Sequence, residues 1–168
     1  MLLSDRSIQQ LLKKKRLIIE PKPTLKSASI RLHLSDQFAK PGGKIGQKTT
    51  YLLKPKQLIL SSTLEHIKMP NDHAGLYDGS TTLARVGITS HMGSMFISPG
   101  SEGNLTLEIF NASDRPFILK SEMRIGQLLI LKLDTPVDHP QQTLSTYKGK
   151  NHQGLVQPDK KVLYRKRK

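Results

Sequence analysis

The segment 77–87 contains the residues whose types and spacing are best suited to chemistry. It reads Tyr-Asp-Gly-Ser-Thr-Thr-Leu-Ala-Arg-Val-Gly, so a glycine is followed by three hydroxyl side chains, Ser80, Thr81 and Thr82, and one turn later by Arg85. Free N–H groups at a helix start, hydroxyls and a guanidinium together favour a phosphate or nucleotide pocket. The same pattern is typical of a capped surface helix, and spacing alone leaves both interpretations open.

The composition excludes several reaction types. Cysteine is absent from the 168 residues, so disulfides, thiol nucleophiles, iron–sulfur clusters and cysteine-bound zinc are ruled out. The histidines lack the paired spacing of metal ligands, and a protein-held transition metal is not expected. They are His33, His66, His73, His91, His139 and His152.

The charge balance predicts an anionic substrate or partner. The chain has 27 Lys and Arg against 13 Asp and Glu, a formal net charge of +14. Residues 148–168 carry eight cations and one acid, so half of the excess lies in this short segment. Its end, residues 160–168, is typical of a nucleic-acid contact, although a solvated charge run has the same composition.

The hydrophobic pattern predicts a mainly β chain. A short amphipathic helix is expected to begin after Ser4 and Asp5 and to end in the basic run 13–16. Most of the rest consists of short alternating segments separated by turn residues, which indicates a β-sandwich or a jelly-roll barrel. We predict a β-barrel domain over residues 1–133 and a basic, partly flexible tail over 134–168.

Strand 105–110 illustrates the alternation. Leu105, Leu107 and Ile109 are expected on one face, and Thr106, Glu108 and Phe110 on the other. The only mid-chain helix that the pattern predicts is a brief one over 80–86.

The sequence gives no sign of membrane insertion. No apolar run approaches the roughly 18 residues of a membrane-spanning helix. The first six residues include Asp5 and lack the apolar core of a signal peptide. The expected location is therefore the cytoplasm, and no membrane partner is expected.

Six segments, in order along residues 1 to about 157, form a recognisable series. They are Ser4-Asp5 to Glu20-Pro21, Thr63-Leu64-Glu65 to Met69-Pro70, Asp78-Gly79-Ser80-Thr81-Thr82-Leu83-Ala84-Arg85, Leu107-Glu108-Ile109-Phe110-Asn111, Arg124-Ile125-Gly126-Gln127-Leu128, and Tyr147-Lys148-Gly149-Lys150 with Gln153-Gly154. Together they resemble the dCTP deaminases of the dUTPase superfamily. The N-terminal helix and the tail favour the deaminase branch over the plain dUTPases.

The resemblance implies a distorted β-barrel or jelly roll and a homotrimer with active sites between subunits. It also implies conversion of dCTP to dUTP and ammonia without zinc. By this resemblance, Glu108 falls on the position of the family's general base, and Thr81 falls on that of a serine whose hydroxyl orients the attacking water. Arg85 matches the arginine that completes this set of three water-binding residues. From the residues alone, Glu108 also fits a solvated strand position, and Arg85 a structural ion pair with Asp78.

The resemblance further implies a set of substrate-binding residues. Ser94 matches a small residue whose backbone lies against the cytosine ring, and Gln127 also suits a β-turn or a subunit contact. Magnesium would enter with the triphosphate, held mainly by phosphate oxygens and water. The substrate-binding set is Gly79, Ser80, Thr82, Ser94, Gln127, Tyr147, Lys150 and Gln153.

Three positions depart from the family pattern. Ser80 stands where the family has an arginine, Ser29 where it has an aspartate, and the segment 95–98 replaces His-Arg-Ile-Asp with Met-Phe-Ile-Ser. The chain thus lacks two arginines, at Ser80 and Phe96, and two aspartates, at Ser29 and Ser98. A serine does not replace a bidentate arginine–phosphate contact, so triphosphate affinity is expected to fall unless tail lysines compensate.

Two classes of function remain after these comparisons of residues. The first is an enzyme, a dCTP deaminase, with a dUTPase less favoured because Ser98 lacks a carboxylate and a Gly-rich C-terminal motif is missing. The second is a catalytically degenerate scaffold of the same fold that binds nucleic acid through its basic tail.

Overall fold

A computed structural model describes residues 1–141, and the substrate-binding predictions for Tyr147, Lys150 and Gln153 lie outside the described residues. The described chain has two helices and thirteen strands. The helices are α1 (Asp5–Lys13) and α2 (Thr81–Ala84). The strands are β1 (Ile18–Glu20), β2 (Leu25–Lys26), β3 (Ser29–His33), β4 (Gln37–Phe38), β5 (Gly46–Gln47), β6 (Thr50–Leu53), β7 (Leu58–Lys68), β8 (His73–Gly79), β9 (Ile88–Thr89), β10 (Phe96–Ile97), β11 (Glu102–Asn111), β12 (Phe117–Lys120) and β13 (Arg124–Lys132).

Two antiparallel sheets form the body of the molecule. One has the strand order β1-β7-β11-β9 and the other the order β10-β8-β13-β3-β2, while β12-β6 and β4-β5 make two-stranded ribbons. Buried side chains of both sheets, among them Ile59, Leu107, Ile30 and Leu128, belong to one apolar core. The expectation of a mainly β fold of the jelly-roll type with a short N-terminal helix is confirmed.

Strand β11 alternates as its sequence predicts. Leu105, Leu107 and Ile109 are buried in the core, and Thr106, Glu108 and Phe110 are half-buried on the opposite face. Burying three large aliphatic side chains fixes which face each residue takes, because a slip of one residue would expose all three. This packing is what turns the Glu108 carboxylate away from the core.

Strand β7 differs from the sequence expectation. The sequence pattern predicts short strands separated by turns for most of the chain, but β7 is one strand of eleven residues. Its polar centre is buried, and the hydroxyl groups there are bonded: Ser61 donates to Gln37 O at 2.7 Å and Thr63 donates to Glu65 O at 2.9 Å. These bonds remove the cost of burying polar groups, so the strand continues where its composition suggests a break.

Helix α1 packs Ile8 and Leu11 into the core and presents its charged side chains outward. Ser4 has the extended backbone of an N-cap, but its side chain makes no capping hydrogen bond. Beyond the helix, Arg16 donates to both carboxylate oxygens of Asp72 at 2.6 Å. This contact ties the end of α1 to the turn between β7 and β8.

Gly126 lies in strand β13 opposite Gly79 of the neighbouring strand β8, where there is no room for a side chain. A Cβ there would lie 2.6 Å from both Asp78 O and the Tyr77 hydroxyl. We expect Gly126→Ala to lower the free energy of unfolding by about 1–3 kcal/mol through overpacking, measured by urea denaturation. Gly46→Ala is the control: its Cβ would come no closer than 4.0 Å to Phe38 O, and we expect a change below about 1 kcal/mol. Equal effects of the two substitutions would contradict the steric explanation.

Candidate active site

A cavity of about 470 Å³ lies where the end of β8 meets α2 and the loop after β9. Three of the residues singled out from the sequence, Gly79, Ser80 and Thr81, line it. The remaining lining residues are mostly small or hydroxyl-bearing, and those described include no lysine or arginine. They are Tyr77, Asp78, Ala84, Gly87, Ile88, Thr89, Ser90, His91, Gly93, Met95 and Ala112.

The hydroxyl-rich turn enters α2, as the sequence predicts, although the helix has only four residues. Ser80 is its N-cap residue and its side chain makes no capping hydrogen bond, while Thr81 and Thr82 are exposed. The backbone of Arg85 donates to Thr81 O at 3.1 Å, so the arginine follows Thr81 by one helical turn. The turn therefore presents hydroxyls at the cavity, and Arg85, which does not line the cavity, follows one helical turn later.

Gly79 has a packing reason for being glycine. A Cβ at this position would lie 2.9 Å from the Ser90 hydroxyl, which accepts a hydrogen bond of 2.9 Å from the Tyr77 hydroxyl. Burial raises the pKa of Tyr77 to about 12, so its hydroxyl stays protonated and remains a donor at neutral pH. Tyr77 and Ser90 thus form a fixed wall of the cavity.

The Glu108 carboxylate is held by a histidine. His91 Nδ1 lies 2.6 Å from Glu108 Oε2, and Nε2 of the same ring lies 2.6 Å from the carbonyl oxygen of Ser94. The backbone N–H of Met92 also points to Glu108 Oε2, at 3.4 Å. A ring with an oxygen acceptor at each nitrogen is suited to the doubly protonated, positively charged form.

The electrostatics of the pair favour the charged form of both groups. Contact with Glu108 raises the pKa of His91 above its ordinary value of 6.5, although partial burial opposes this. Partial burial alone would raise the pKa of Glu108, but the contact with His91 outweighs it and the pKa is lowered below 4.5. The pair's contribution to stability is lost as the pH rises through the raised His91 value or falls through the lowered Glu108 value. Between pH 4.5 and pH 6.5, His91 and Glu108 are therefore both charged.

The structure brings some of the sequence-predicted residues together and leaves others apart. Glu108 lies behind the cavity lining, with its Oε2 3.6 Å from the position of a Cβ on Gly93. Ser94 contributes its carbonyl oxygen to His91. Arg85 is exposed, and among residues 1–141 it forms no ion pair with Asp78.

Gln127 lies in strand β13 and not in a turn. Its Nε2 donates to Asp78 Oδ2 at 2.8 Å, and its Oε1 accepts from the Ser29 hydroxyl at 2.9 Å. These bonds link three adjacent strands beside the cavity wall that Asp78 forms.

Sequence reasoning missed His91, Tyr77 and Ser90. His91 was weighed only as a metal ligand, and nothing in its spacing from Glu108 indicates an ion pair. The contact arises because β9, just before His91, pairs with the end of β11 through Asn111↔Ile88. Only the register of these strands brings the two side chains together.

The structure shows no metal centre or membrane span in its described part. Within residues 1–141, no group of three or more His, Asp or Glu side chains is placed to hold a metal ion. Over the same residues, neither helix is long and apolar enough to cross a bilayer.

Solved structures with the same fold include a deoxycytidine triphosphate deaminase and dUTPases. A 2'-deoxycytidine 5'-triphosphate deaminase from Agrobacterium tumefaciens aligns with a TM-score of 0.64 at 18% identity, covering 77% of this chain and 47% of that one. The dUTPase of EIAV aligns with a TM-score of 0.52 at 17% identity, covering 74% of this chain and 95% of that one. The fold is therefore that of the dUTPase and dCTP deaminase class.

Sequence comparison identifies the family within this class. A family profile described as dCTP deaminase-like matches residues 43–133. The "dCTP deaminase, dUMP-forming" of Mycolicibacterium smegmatis is 33% identical, with 94% of each chain covered. That of Mycobacterium avium is 42% identical over 108 residues, which are 64% of this chain and only 56% of the relative. The chain belongs to the dCTP deaminase-like family.

The ion pair makes a prediction that does not depend on activity. We expect Glu108→Gln to lower the pKa of His91, because the substitution removes the carboxylate that stabilises the imidazolium. An NMR titration of the His91 ring protons measures this pKa directly. Glu102→Gln is the control, since Glu102 lies on the same strand but pairs with Lys68 at 2.8 Å. An unchanged His91 pKa in the Glu108 variant would show that the two side chains are not in contact.

Proposed function

We propose that this protein hydrolytically deaminates a deoxycytidine nucleotide, with dCTP the expected substrate. The observation that carries the proposal is the Glu108 carboxylate, held ionised by His91 beside a cavity that the Thr81 hydroxyl lines. Membership of the dCTP deaminase-like family and the names of the relatives support the choice of substrate. Magnesium would accompany the triphosphate as part of the substrate.

Glu108 acts as the general base. An ionised carboxylate takes a proton from water as the water oxygen bonds to C4 of cytosine. One of the two water protons passes to N3 of the ring and the other to the exocyclic amino nitrogen, the C4–N4 bond breaks, and ammonia leaves with uracil as the product base. Lowering the pKa of Glu108 keeps it ionised at neutral pH, at the cost of a weaker base, so orientation of the water must contribute to the rate.

Thr81 and Arg85 are the groups proposed to orient that water. Thr81 is an exposed residue at the cavity wall, and Arg85 ends the same short helix. His91 fixes the carboxylate through one ring nitrogen while the Ser94 carbonyl fixes the ring through the other. Each of these groups has a role in positioning that does not need a metal ion.

The phosphate groups need cations that the described cavity lining lacks. Ser80 is buried and uncharged where the family resemblance expects an arginine. We propose that Lys150, with Tyr147 and Gln153, or a neighbouring subunit supplies the phosphate contacts. The proposal also assigns Gly79 and Ser94 to the surroundings of the base and sugar, whereas Thr82, a substrate-binding residue by resemblance, does not line the cavity. We further propose that the protein is a homotrimer.

The outer face of the five-stranded sheet supports self-association. Leu76 and Leu129 are opposite one another and only half-buried, and Phe96 beside Leu76 is 52% exposed. On the same face, Arg31 Nε is buried without a hydrogen-bond partner among the described residues. A second protomer would cover the apolar side chains and supply an acceptor for Arg31.

Further hydrolysis to dUMP is the second candidate function. Relatives at 32–42% identity are named dUMP-forming, whereas the relative from Buchnera aphidicola, 32% identical, is named dCTP deaminase only. Water attack on dUTP at a phosphorus atom would release pyrophosphate and dUMP. Chromatography of the products of dCTP distinguishes the two outcomes.

A cytoplasmic location and nucleic-acid binding by the tail remain predictions. A scaffold without catalysis is the alternative that the activity measurement below tests.

We expect Glu108→Gln to reduce deamination of dCTP by a factor of about 10² to 10⁴, because it removes the proton acceptor and preserves the shape of the side chain. Release of ammonia and the ultraviolet change from cytosine to uracil measure the rate. Nucleotide binding, measured by calorimetry, should be largely retained. Near-normal turnover of this variant would exclude Glu108 as the base.

Thr81 and Thr82 provide a matched pair for the proposed water-orienting hydroxyl. Both are exposed threonines of α2, but only Thr81 lines the cavity. We expect Thr81→Val to lower kcat at least tenfold and Thr82→Val to lower it less than threefold. Equal losses would remove Thr81 from the mechanism. If the unmodified protein turns over none of dCTP, dCMP and deoxycytidine, the enzyme proposal fails as a whole.

A further inference from the structure

Tyr77 of strand β8 holds both ends of the loop that follows β9. At the start of the loop, the Tyr77 hydroxyl donates to Ser90 Oγ at 2.9 Å, and at its end the Tyr77 backbone N–H donates to Met95 O at 2.8 Å. Between these two points lies His91, the partner of Glu108. A single residue of the five-stranded sheet therefore fixes where this loop begins and ends against β8.

The side chain of Tyr77 also packs against the His91 ring. The two ring centroids are 5.4 Å apart and the planes meet at 78°, which is an edge-to-face contact. The groups that touch the imidazole thus come from three places: Glu108 on β11, the Ser94 carbonyl in the loop itself, and Tyr77 on β8. The two oxygen acceptors hold the ring nitrogens, and the Tyr77 ring adds a contact whose geometry depends on the orientation of the imidazole.

Two opposed glycines make room for this arrangement. Gly126 and Gly79 are partners in the β13–β8 register. A Cβ on Gly126 would lie 2.6 Å from the Tyr77 hydroxyl, and a Cβ on Gly79 would lie 2.9 Å from Ser90 Oγ. The Tyr77–Ser90 hydrogen bond therefore occupies the space that two side chains would fill. Tyr77 is only 4% exposed and belongs to the apolar core, so its ring is a firm support.

We propose that Tyr77 is a positioning residue for the reaction: it orients the His91 ring and, through that ring, the Glu108 carboxylate. The inference rests on the proposed function, in which Glu108 is the general base. Tyr77 acts through His91 because its hydroxyl hydrogen is used in the bond to Ser90. A carboxylate oxygen removes a proton from water efficiently only when it is aimed at that water, so loss of the support slows the chemical step more than it weakens binding.

The first test is Tyr77→Phe in the full chain, which removes the hydroxyl and keeps the ring. We expect kcat for dCTP to fall about three- to tenfold and KM to change less than about twofold. Tyr77→Leu, which removes the ring contact as well, should lower kcat further. A rise in KM at unchanged kcat would mean that the hydroxyl binds the substrate, and it would overturn the positioning role.

The second test does not use activity. In an NMR titration of Tyr77→Phe, we expect the His91 pKa to fall toward 6.5, part of the way to its value in Glu108→Gln, because the ring spends less time against the carboxylate. Weaker contact with His91 also raises the pKa of Glu108, so the acid limb of the kcat profile should move to higher pH. An unchanged His91 pKa in Tyr77→Phe would overturn the proposal.

Tyr51→Phe is the matched control. Tyr51 is half-buried, its hydroxyl accepts a hydrogen bond from Gln57 Nε2 at 3.0 Å, and it does not line the cavity. Its loss of a bonded hydroxyl should change kcat less than about twofold and leave the His91 pKa unchanged. Equal effects of the two substitutions on kcat and on that pKa would show that general loosening is responsible, and they would overturn the proposal.

The two readouts also separate this inference from the proposed function. If the unsubstituted protein turns over no cytosine nucleotide, the proposed function fails and the His91 pKa alone decides whether Tyr77 positions the pair. If turnover is normal and neither kcat nor the His91 pKa responds to Tyr77→Phe, the proposed function is retained and the role of Tyr77 is excluded.

Discussion

The candidate site depends on one loop that passes between the two sheets. Strand β9 pairs with β11 in the four-stranded sheet, and β10 pairs with β8 in the five-stranded sheet. The loop between them, residues 90–95, must therefore cross from one sheet to the other. His91 is in this crossing, and its ion pair with Glu108 fixes the loop to β11. The Met92 N–H bond to the same carboxylate, at 3.4 Å, and the Tyr77 N–H bond to Met95 O, at 2.8 Å, hold the loop at two further points.

The positive charge of the molecule lies mainly away from the cavity. The described cavity lining contains one carboxylate and one histidine but no lysine or arginine, although the chain carries a net charge of +14. Cations close to a general base would lower its pKa and weaken it, beyond the effect that His91 already has. Most of the positive charge lies elsewhere, on α1, on exposed turns and in the segment after residue 147.

The sequence predicted the elements whose patterns are local. The alternation of β11 placed Glu108 on the polar face, and the glycine and hydroxyls at 79–82 predicted a turn into a short helix. It missed the length of β7, because the buried hydroxyls of Ser61 and Thr63 bond to backbone oxygens supplied by tertiary contacts and by the strand itself. It also missed His91 as a partner of Glu108, since a pairing between residues 17 apart depends on strand register. Patterns within one element are encoded locally, whereas contacts between elements are not.

The departure at Ser29 has a local explanation in the same terms. Ser29, Gln127 and Asp78 lie on adjacent strands, and the glutamine side chain bonds to both neighbours. Because Ser29 is buried, an aspartate there would place a second carboxylate near Asp78 in a poorly solvated position. An ionised carboxylate has no hydrogen to donate, so an aspartate at this position could not make the bond that Ser29 makes to the glutamine oxygen. A neutral hydroxyl donor instead satisfies the glutamine oxygen directly, which leaves its amide nitrogen for Asp78. The substitution therefore preserves the wall of the cavity while removing one charge from the sheet.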